Sequence, residues 1–204
     1  MKFYNSMGPN PHVVRMFAAE RGAELPNTVE VDLMGGENRQ AEYTAKNPGG
    51  QLPCLELDNG TYLAEITAIC EYLDEVTPGE SLIGSSAEER ANTRMWTRRV
   101  DLYICEPLAN GFRFGEGLNL FKDRMVTLPE ASEGLKGIAQ NRLSWLDGLM
   151  EGREFVAGDK LTLADVLLYC FLAFGANVGQ PLNEANKNIS SWYERMAARD
   201  SASA

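Results

Sequence analysis

The stretch from residue 49 to residue 73 constrains this chain most. It runs Gly49-Gly50-Gln51-Leu52-Pro53, then the short apolar run Cys54-Leu55-Glu56-Leu57, then Asp58-Asn59-Gly60, then Tyr62-Leu63, and then a helical pattern that begins at Glu65. Asp-Asn-Gly between two short apolar runs is a tight hairpin signal. A proline at the first position of a strand withholds one N–H from the ladder. An X-Pro bond also accepts the cis form at modest cost, and a cis bond turns the backbone sharply. Placed this way, Pro53 leaves the N–H and C=O of Leu52 free to pair with an extended peptide as an added strand. The plainer alternative is that Pro53 only starts an edge strand.

The pattern around this stretch is a small mixed domain. Lys2-Phe3-Tyr4-Asn5 reads as a strand, and Pro9-Asn10-Pro11 breaks it. Val13, Val14, Met16, Phe17 and Ala18 form a helical face that Gly22 closes as a C-cap. Residues 28–33 alternate and are β-branched, which predicts a second strand. Residues 40–46 suit a short helix, and residues 65–76 a longer one. The order is β-α-β-α-β-β-α, one mixed sheet covered by helices. Thr77-Pro78-Gly79-Glu80-Ser81 is rich in turn residues, and from Ala87 onward there is no strand signal. The remainder predicts helices: a long one that Pro107 bends or ends, one along Leu135 to Met150, one apolar nearly all round near residues 162–175 that belongs at the centre of a bundle, and a last one over 189–198.

Composition excludes several function classes. Nineteen Lys and Arg against 29 Asp and Glu give a net charge of −10, which repels phosphate backbones and argues against nucleic acid as a partner. The longest apolar run, residues 166–176, is too short to span a bilayer, and no basic-then-apolar leader opens the sequence. No membrane association and a cytoplasmic location are the expectation. Cys54, Cys70, Cys105 and Cys170 form no C-x-x-C pair and sit in apolar stretches, as reduced core thiols do. His12 is the single histidine, so no metal site and no histidine-based triad are expected.

Glu65-Ile66-Thr67 carries chemistry of a second kind. A helix start offers unpaired N–H groups and partial positive charge to a carboxylate, while the Glu65 carboxylate can take a neighbouring ammonium. One turn thus meets both charged groups of an amino acid; the alternative is that Glu65 only complements the helix dipole. Far downstream, Thr162 can cap a helix with Asp165 as its reciprocal partner three residues on, with Leu161 and Val166 as a hydrophobic staple. That motif is structural, and Asp165 is no catalytic candidate.

With these residues in hand, roughly residues 1–200 resemble the cytosolic glutathione transferase family. The family pattern of a strand started by Pro, an acid, then Ser-x-Ala-Ile is matched at Pro53, Glu65, Ala68 and Ile69, and departs at Ile66, where the family usually has Ser. Residues 155–165, Phe-Val-Ala-Gly-Asp-Lys-Leu-Thr-Leu-Ala-Asp, resemble the family's C-terminal signature. The resemblance implies an α/β plus all-α architecture: a thioredoxin-like glutathione-binding domain over residues 1–77, a linker over 78–86 and an all-helical domain over 87–204. It implies glutathione as co-substrate, held by Asn38, Arg39 and Gln51 at its glycine carboxylate, by the backbone of Leu52 before Pro53, and by Glu65 and Ile66 at its γ-glutamyl end. It further implies a homodimer, a detoxifying conjugation of glutathione to a small hydrophobic electrophile, and glutathione peroxidase activity as a side reaction.

The thiol must be ionised, and a helix N-terminus lowers a thiol pKa. Many family members place Ser or Cys directly before the proline that opens the first helix; here Asn10 precedes Pro11. Asn is a good N-cap and its amide can donate to a sulfur anion. Ser6 is the nearest hydroxyl and Tyr4 the nearest phenol, so Asn10, Ser6 and Tyr4 stay open as the activating group. The departure resembles an atypical bacterial and fungal subgroup that lacks the usual Ser, Cys or Tyr. Met7, Gly8, Asn110, Phe112, Arg113 and Phe114 are the expected walls of the electrophile pocket, with Arg113 able to polarise an electrophile or simply to sit in a surface ion pair. The alternative function is a glutathione-binding or protein-interaction module of the same fold with little or no turnover.

Overall fold

The structure, a computed structural model, describes residues 1–204. Residues 1–85 with 200–204 form one compact unit, and residues 86–199 form a second.

In the first unit the chain runs β1 (Lys2–Asn5), α1 (Pro9–Arg21), β2 (Thr28–Glu30), α2 (Ala41–Thr44), β3 (Cys54–Glu56), β4 (Tyr62–Leu63) and α3 (Ile66–Val76). The sheet order is β2-β1-β3-β4. β1 and β2 are parallel because α1 crosses between them, while β3 pairs antiparallel with β1 and, through the hairpin, with β4. Alternation along β1 and β3 separates two apolar groups. The facing pair Phe3 and Leu55 is fully buried with Val13, Met16, Phe17, Ile69 and Leu73, whereas the facing pair Tyr4 and Cys54 joins Val31, Tyr43 and Leu52 in a smaller cluster. This is the mixed sheet that the strand and helix order predicts, in the thioredoxin-like arrangement that the family resemblance implies.

β2 is shorter than the predicted 28–33. Asp32 starts a turn instead, its carboxylate accepting the Gly35 N–H at 2.8 Å and its own N–H donating to Glu37 at 2.7 Å. At the far ends of α1 and α3, the buried Arg21 Nε lies 2.6 Å from the Asp74 carboxylate, and the same guanidinium donates to the Asp74 and Thr77 carbonyls. The helical domain expected over 87–204 ends at Arg199 as a compact unit. The last residues instead form a 3-10 turn over Asp200–Ser203 that lies on α1, where the Ser201 hydroxyl donates to Glu20 and His12 Nε2 meets the Ala202 carbonyl at 3.0 Å. Polar contacts of this kind leave no periodic signal in the sequence.

The second unit is helical: α4 (Ala87–Val100), α5 (Glu106–Phe114), α6 (Leu118–Phe121), α7 (Ser132–Leu149), α8 (Leu163–Asn177) and α9 (Lys187–Ala197). Ser86 and Glu89 form a capping box at the start of α4. Pro107 does not end the helix. It has no N–H to give, and its ring crowds the carbonyl four residues back, so the helix widens into a π turn over Asp101–Cys105 and resumes as α5. α8 is buried on nearly every face, as its unbroken apolar composition predicts. No helix is long and apolar enough to cross a membrane.

Asp165 sits fully buried at the start of α8. One carboxylate oxygen accepts the Val156 N–H at 2.8 Å and the Trp192 indole N–H at 3.0 Å; the other accepts the Thr162 N–H and hydroxyl, both at 3.0 Å. Burial pushes the carboxyl up to about 6 despite these four bonds, each of which favours the anion.

Candidate functional site

Strand register gathers the site at one end of the sheet. β1 and β3 pair Tyr4 with Cys54, and beyond that pair the two strands lead to Ser6 and Leu52 at the same end of the sheet. β3 and β4 pair Leu55 with Leu63, and beyond that pair they lead to Pro53 and Glu65. The start of β3 is therefore flanked by the β1–α1 turn on one side and by the start of α3 on the other. β1 and β4 lie two strand spacings apart across β3, roughly 10 Å, the reach of a short peptide laid across the sheet end.

The Leu52–Pro53 peptide is cis, and β3 begins only at Cys54. The Leu52 N–H and C=O thus lie outside the ladder. The loop before them is held from beneath. Asn38, nearly inaccessible, donates to the Gly50 carbonyl at 2.6 Å, and the Gln51 carbonyl accepts from the Tyr43 hydroxyl at 2.7 Å and from Asn47 at 2.9 Å. Gly50 has φ +58, and a Cβ there would come within 3.1 Å of the Asn38 carbonyl and 3.2 Å of an Arg39 guanidinium nitrogen, so only glycine lets the two loops approach this closely. Asn38 Oδ1 and Arg39 Nε are buried with no hydrogen-bond partner in the chain. The Gln51 side chain is exposed. Tyr43 and Asn47 were not among the sequence candidates; the Asn47-Pro48-Gly49-Gly50 turn signature was the available signal, and Asn47 Oδ1 does accept the Gly49 N–H at 3.1 Å.

Glu65 is the N-cap of α3 at φ 66, ψ 120, one of two non-glycine residues with positive φ. Its side chain does not cap the helix, and it is exposed. A residue held in a sparsely populated backbone conformation is a strained feature of the type that marks ligand clamps. The Ile66 and Thr67 N–H groups of the first turn remain without an intrahelical acceptor.

At the third corner, α1 starts two residues earlier than expected. Gly8, at φ 107 and ψ 171, is its N-cap and Pro9 its first residue, so Asn10 is the second helical residue and not the cap. Glycine accepts the positive φ, and proline suits the first helical position. Because Pro9 and Pro11 carry no N–H, Gly8 and Asn10 hold the only two backbone donors among the four residues that open this helix. No side chain caps it. The Ser6 hydroxyl is buried and donates to the Val31 carbonyl at 2.8 Å. The Tyr4 hydroxyl donates to Glu56 at 2.7 Å, and burial together with that carboxylate raises its pKa well above the ordinary phenol value. Both hydroxyl protons are engaged, which leaves the backbone and amide of Asn10 as the polar groups at the helix tip. Met7 is exposed beside them. Arg15 reaches back along α1 to the Asn5 side chain at 2.7 Å and pins the turn.

The other sequence candidates lie on the second unit. Asn110, Phe112, Arg113 and Phe114 are half-buried residues of α5. Arg113 donates to Asn110 Oδ1 at 2.9 Å, and Asn110 donates to Glu106 at 3.1 Å. The Cys54 thiol, by contrast, is buried and pushed up to about 11, which makes it inert. No group of three or more His, Cys, Asp or Glu side chains is arranged to hold a metal ion.

Comparison with known proteins agrees with this geometry. Residues 7–76 match the family model for the glutathione S-transferase N-terminal domain, and residues 127–200 match that for the C-terminal domain. Glutathione S-transferase 2 of Saccharomyces cerevisiae is 32% identical over 200 residues, covering 95% of this chain and 84% of that protein. Glutathione S-transferase GstA of Escherichia coli O157:H7 is 31% identical over 98% of this chain and 94% of its own length. Among solved structures, a glutathione S-transferase domain-containing protein from Marinobacter aquaeolei VT8 superimposes with a TM-score of 0.92 at 37% identity, covering 99% of this chain and 100% of that one. Gtt2 from Saccharomyces cerevisiae gives a TM-score of 0.89 at 31% identity, covering 100% and 99%.

Proposed function

Since the chain belongs to the glutathione S-transferase family, we propose that it joins the thiolate of glutathione to a small electrophilic substrate. The observation that carries this reading is the end of the sheet at which β3 begins only after Leu52–Pro53, between β1, which leads on to Ser6, and β4, which leads on to Glu65. In this reading the Leu52 backbone pairs with the cysteinyl residue as an added strand. The Glu65 carboxylate takes the γ-glutamyl ammonium, and the Ile66 and Thr67 N–H groups take its carboxylate. Arg39 takes the glycine carboxylate, with Gln51 beside it and Asn38 holding the Gly50 loop in place. The sulfur then lies at the start of α1, where the Gly8 and Asn10 N–H groups and the Asn10 amide stabilise the anion. The thiol proton leaves to water, sulfur bonds to the electrophilic carbon, and the leaving group departs with its electron pair. Peroxide reduction as a side activity, a detoxifying role in the cytoplasm and a homodimer belong to the same proposal. The exposed Met95 on α4 and Leu102 and Tyr103 on the π turn that follows support a subunit contact.

Calorimetry with glutathione and conjugation to chlorodinitrobenzene test the proposal together. Saturable heat with turnover, and an Asn10→Ala variant with a raised thiol pKa by ultraviolet thiolate absorbance, is the expected result. Absence of heat at millimolar glutathione with well-folded protein overturns it. Light scattering at the mass of a single chain overturns the dimer. A second reading, a glutathione-binding or protein-interaction module with little turnover, draws on one observation: both nearby hydroxyls, Ser6 and Tyr4, already donate elsewhere. Binding without conjugation across a broad electrophile panel selects it.

A further inference from the structure

Asn-Gly occurs twice in the chain, at Asn59-Gly60 and at Asn110-Gly111. The pair has a chemistry of its own. Glycine has no side chain to hinder it, so its nitrogen can turn back onto the amide carbon of the preceding asparagine and close a five-membered ring. That step needs the asparagine to rotate about its own backbone and the glycine N–H to leave its acceptor. The fold therefore decides whether each pair reacts. Asn110 and Gly111 are locked inside α5. The Asn110 amide donates to Glu106 at 3.1 Å and accepts from Arg113 at 2.9 Å. Gly111 is buried, and a Cβ there would lie 2.8 Å from the Lys136 side chain, so α7 packs directly on it. Rotation at this point breaks helical hydrogen bonds on both sides of it.

Asn59 and Gly60 stand at the tip of the β3–β4 hairpin, where Asp58 to Tyr62 are all exposed. Gly60 has φ +82, and no atom lies within 4 Å of the place a Cβ would take, so nothing packs against the tip. Three hydrogen bonds close it. The Gly60 N–H donates to the Leu57 carbonyl at 2.9 Å, the Leu57 N–H to the Thr61 carbonyl at 2.8 Å, and the Thr61 N–H to Asn59 Oδ1 at 2.9 Å. Beyond them β4 is only two residues long. Water-exposed bonds at the tip of so short a ladder belong to the least stable part of a fold, so the Gly60 N–H is released often.

We propose that Asn59 is a site of spontaneous covalent modification, converting to aspartate and isoaspartate, while the fold spares Asn110. In the opened tip the Gly60 nitrogen gives its proton to solvent and bonds to the Asn59 side-chain carbonyl carbon. The bond from that carbon to the amide nitrogen breaks, and ammonia leaves with a proton taken from water. Water then opens the ring. Attack at the side-chain carbon gives aspartate on the original main chain. Attack at the main-chain carbon gives isoaspartate, with the chain routed through the side chain and one atom longer. Either product sets a new negative charge beside Asp58, and the longer chain no longer matches the closure between Leu57 and Thr61. The chemistry requires only water and is independent of glutathione binding.

The test incubates the full chain at mildly alkaline pH, folded and in urea, and maps the peptides by mass spectrometry. The folded protein is expected to gain about one dalton at Asn59, at a rate about tenfold or more above that at Asn110, and an isoaspartate-specific methyltransferase should label the same peptide. In urea the two sites should react within a few fold of each other, because the residue pair is the same and only the fold separates them. Asn59→Gln, at an exposed position, should remove the label from the folded chain, since glutamine would have to close a larger ring. An Asn59 that stays intact in the folded chain while the chain in urea converts overturns the proposal, as do equal folded-state rates at the two sites. A label that persists in Asn59→Gln places the modification elsewhere and overturns it too. A folded-state ratio that is unchanged in urea overturns the role assigned to the fold.

Discussion

The starts of α1 and α8 are both helix N-termini, and the chain treats them in opposite ways. At α8, Thr162 and Asp165 close the first turn, and Asp165 also gathers the Val156 N–H and the Trp192 indole. Four donors share this one carboxylate, and it is fully buried. At α1 the cap is a glycine, two of the first three helical residues are prolines, and no side chain closes the end. Internal satisfaction raises stability and makes a helix end chemically silent. An open end gives up that stability and keeps N–H groups and a partial positive charge available to an anion. α3 follows the open pattern, since Glu65 starts the helix and its side chain makes no capping bond.

The contrast can be broken most severely at its closed end. Asp165→Ala strands four buried donors and should cost roughly 3–5 kcal/mol, read as a lower urea midpoint, while glutathione affinity of the folded fraction stays the same. A midpoint within the error of the parent would show that the closed cap contributes little. Next comes Gly8→Ala. No atom lies within 4 Å of the added Cβ, so its effect isolates the backbone at φ +107, a loss of about 2 kcal/mol. An unchanged melting temperature would mean that the turn relaxes freely. Third, Glu65→Gly relieves the conformation at φ 66 and should raise stability by about 1 kcal/mol. The same change should weaken glutathione at least tenfold in titration calorimetry. Loss of stability together with intact binding would reverse the assignment of Glu65 as a strained clamp.

The smallest effect concerns His12, in the open first turns of α1. Burial holds its imidazole below the ordinary 6.5, so the fold favours the neutral ring. The stability this contributes is present above pH 6.5 and is lost as pH falls through the lowered folded value. His12→Gln can keep a donor to the Ala202 carbonyl, and should flatten the acid side of the melting-temperature profile. An identical profile in both proteins would remove His12 from the acid response.

Much of this contrast was legible in the residues. Thr162 and Asp165 stand at capping-box spacing, and the cap forms. Pro53, the Asp58-Asn59-Gly60 turn and Glu65 are readable as strand start, hairpin and helix start, and each falls where its local chemistry places it. Less was legible at α1. Asn10 before Pro11 reads as an N-cap, yet Gly8-Pro9 starts the helix sooner, because a glycine that tolerates positive φ followed by a proline competes for the same role. Asn38 reads as a ligand contact, whereas its amide supports the Gly50 carbonyl from inside the fold. The packing of residues 200–204 on α1 and the π turn before Pro107 left no periodic trace.

Local patterning in the sequence determined the order of strands and helices, the closed cap of α8 and the family to which the chain belongs. These depend on neighbours within a turn or a hairpin, where residue type and spacing suffice. Only the tertiary structure decided which donors remain open. The Ser6 hydroxyl donates to the Val31 carbonyl and the Tyr4 hydroxyl to the Glu56 carboxylate, because strand pairing brings together groups far apart in the chain and each polar atom takes whichever partner lies within reach.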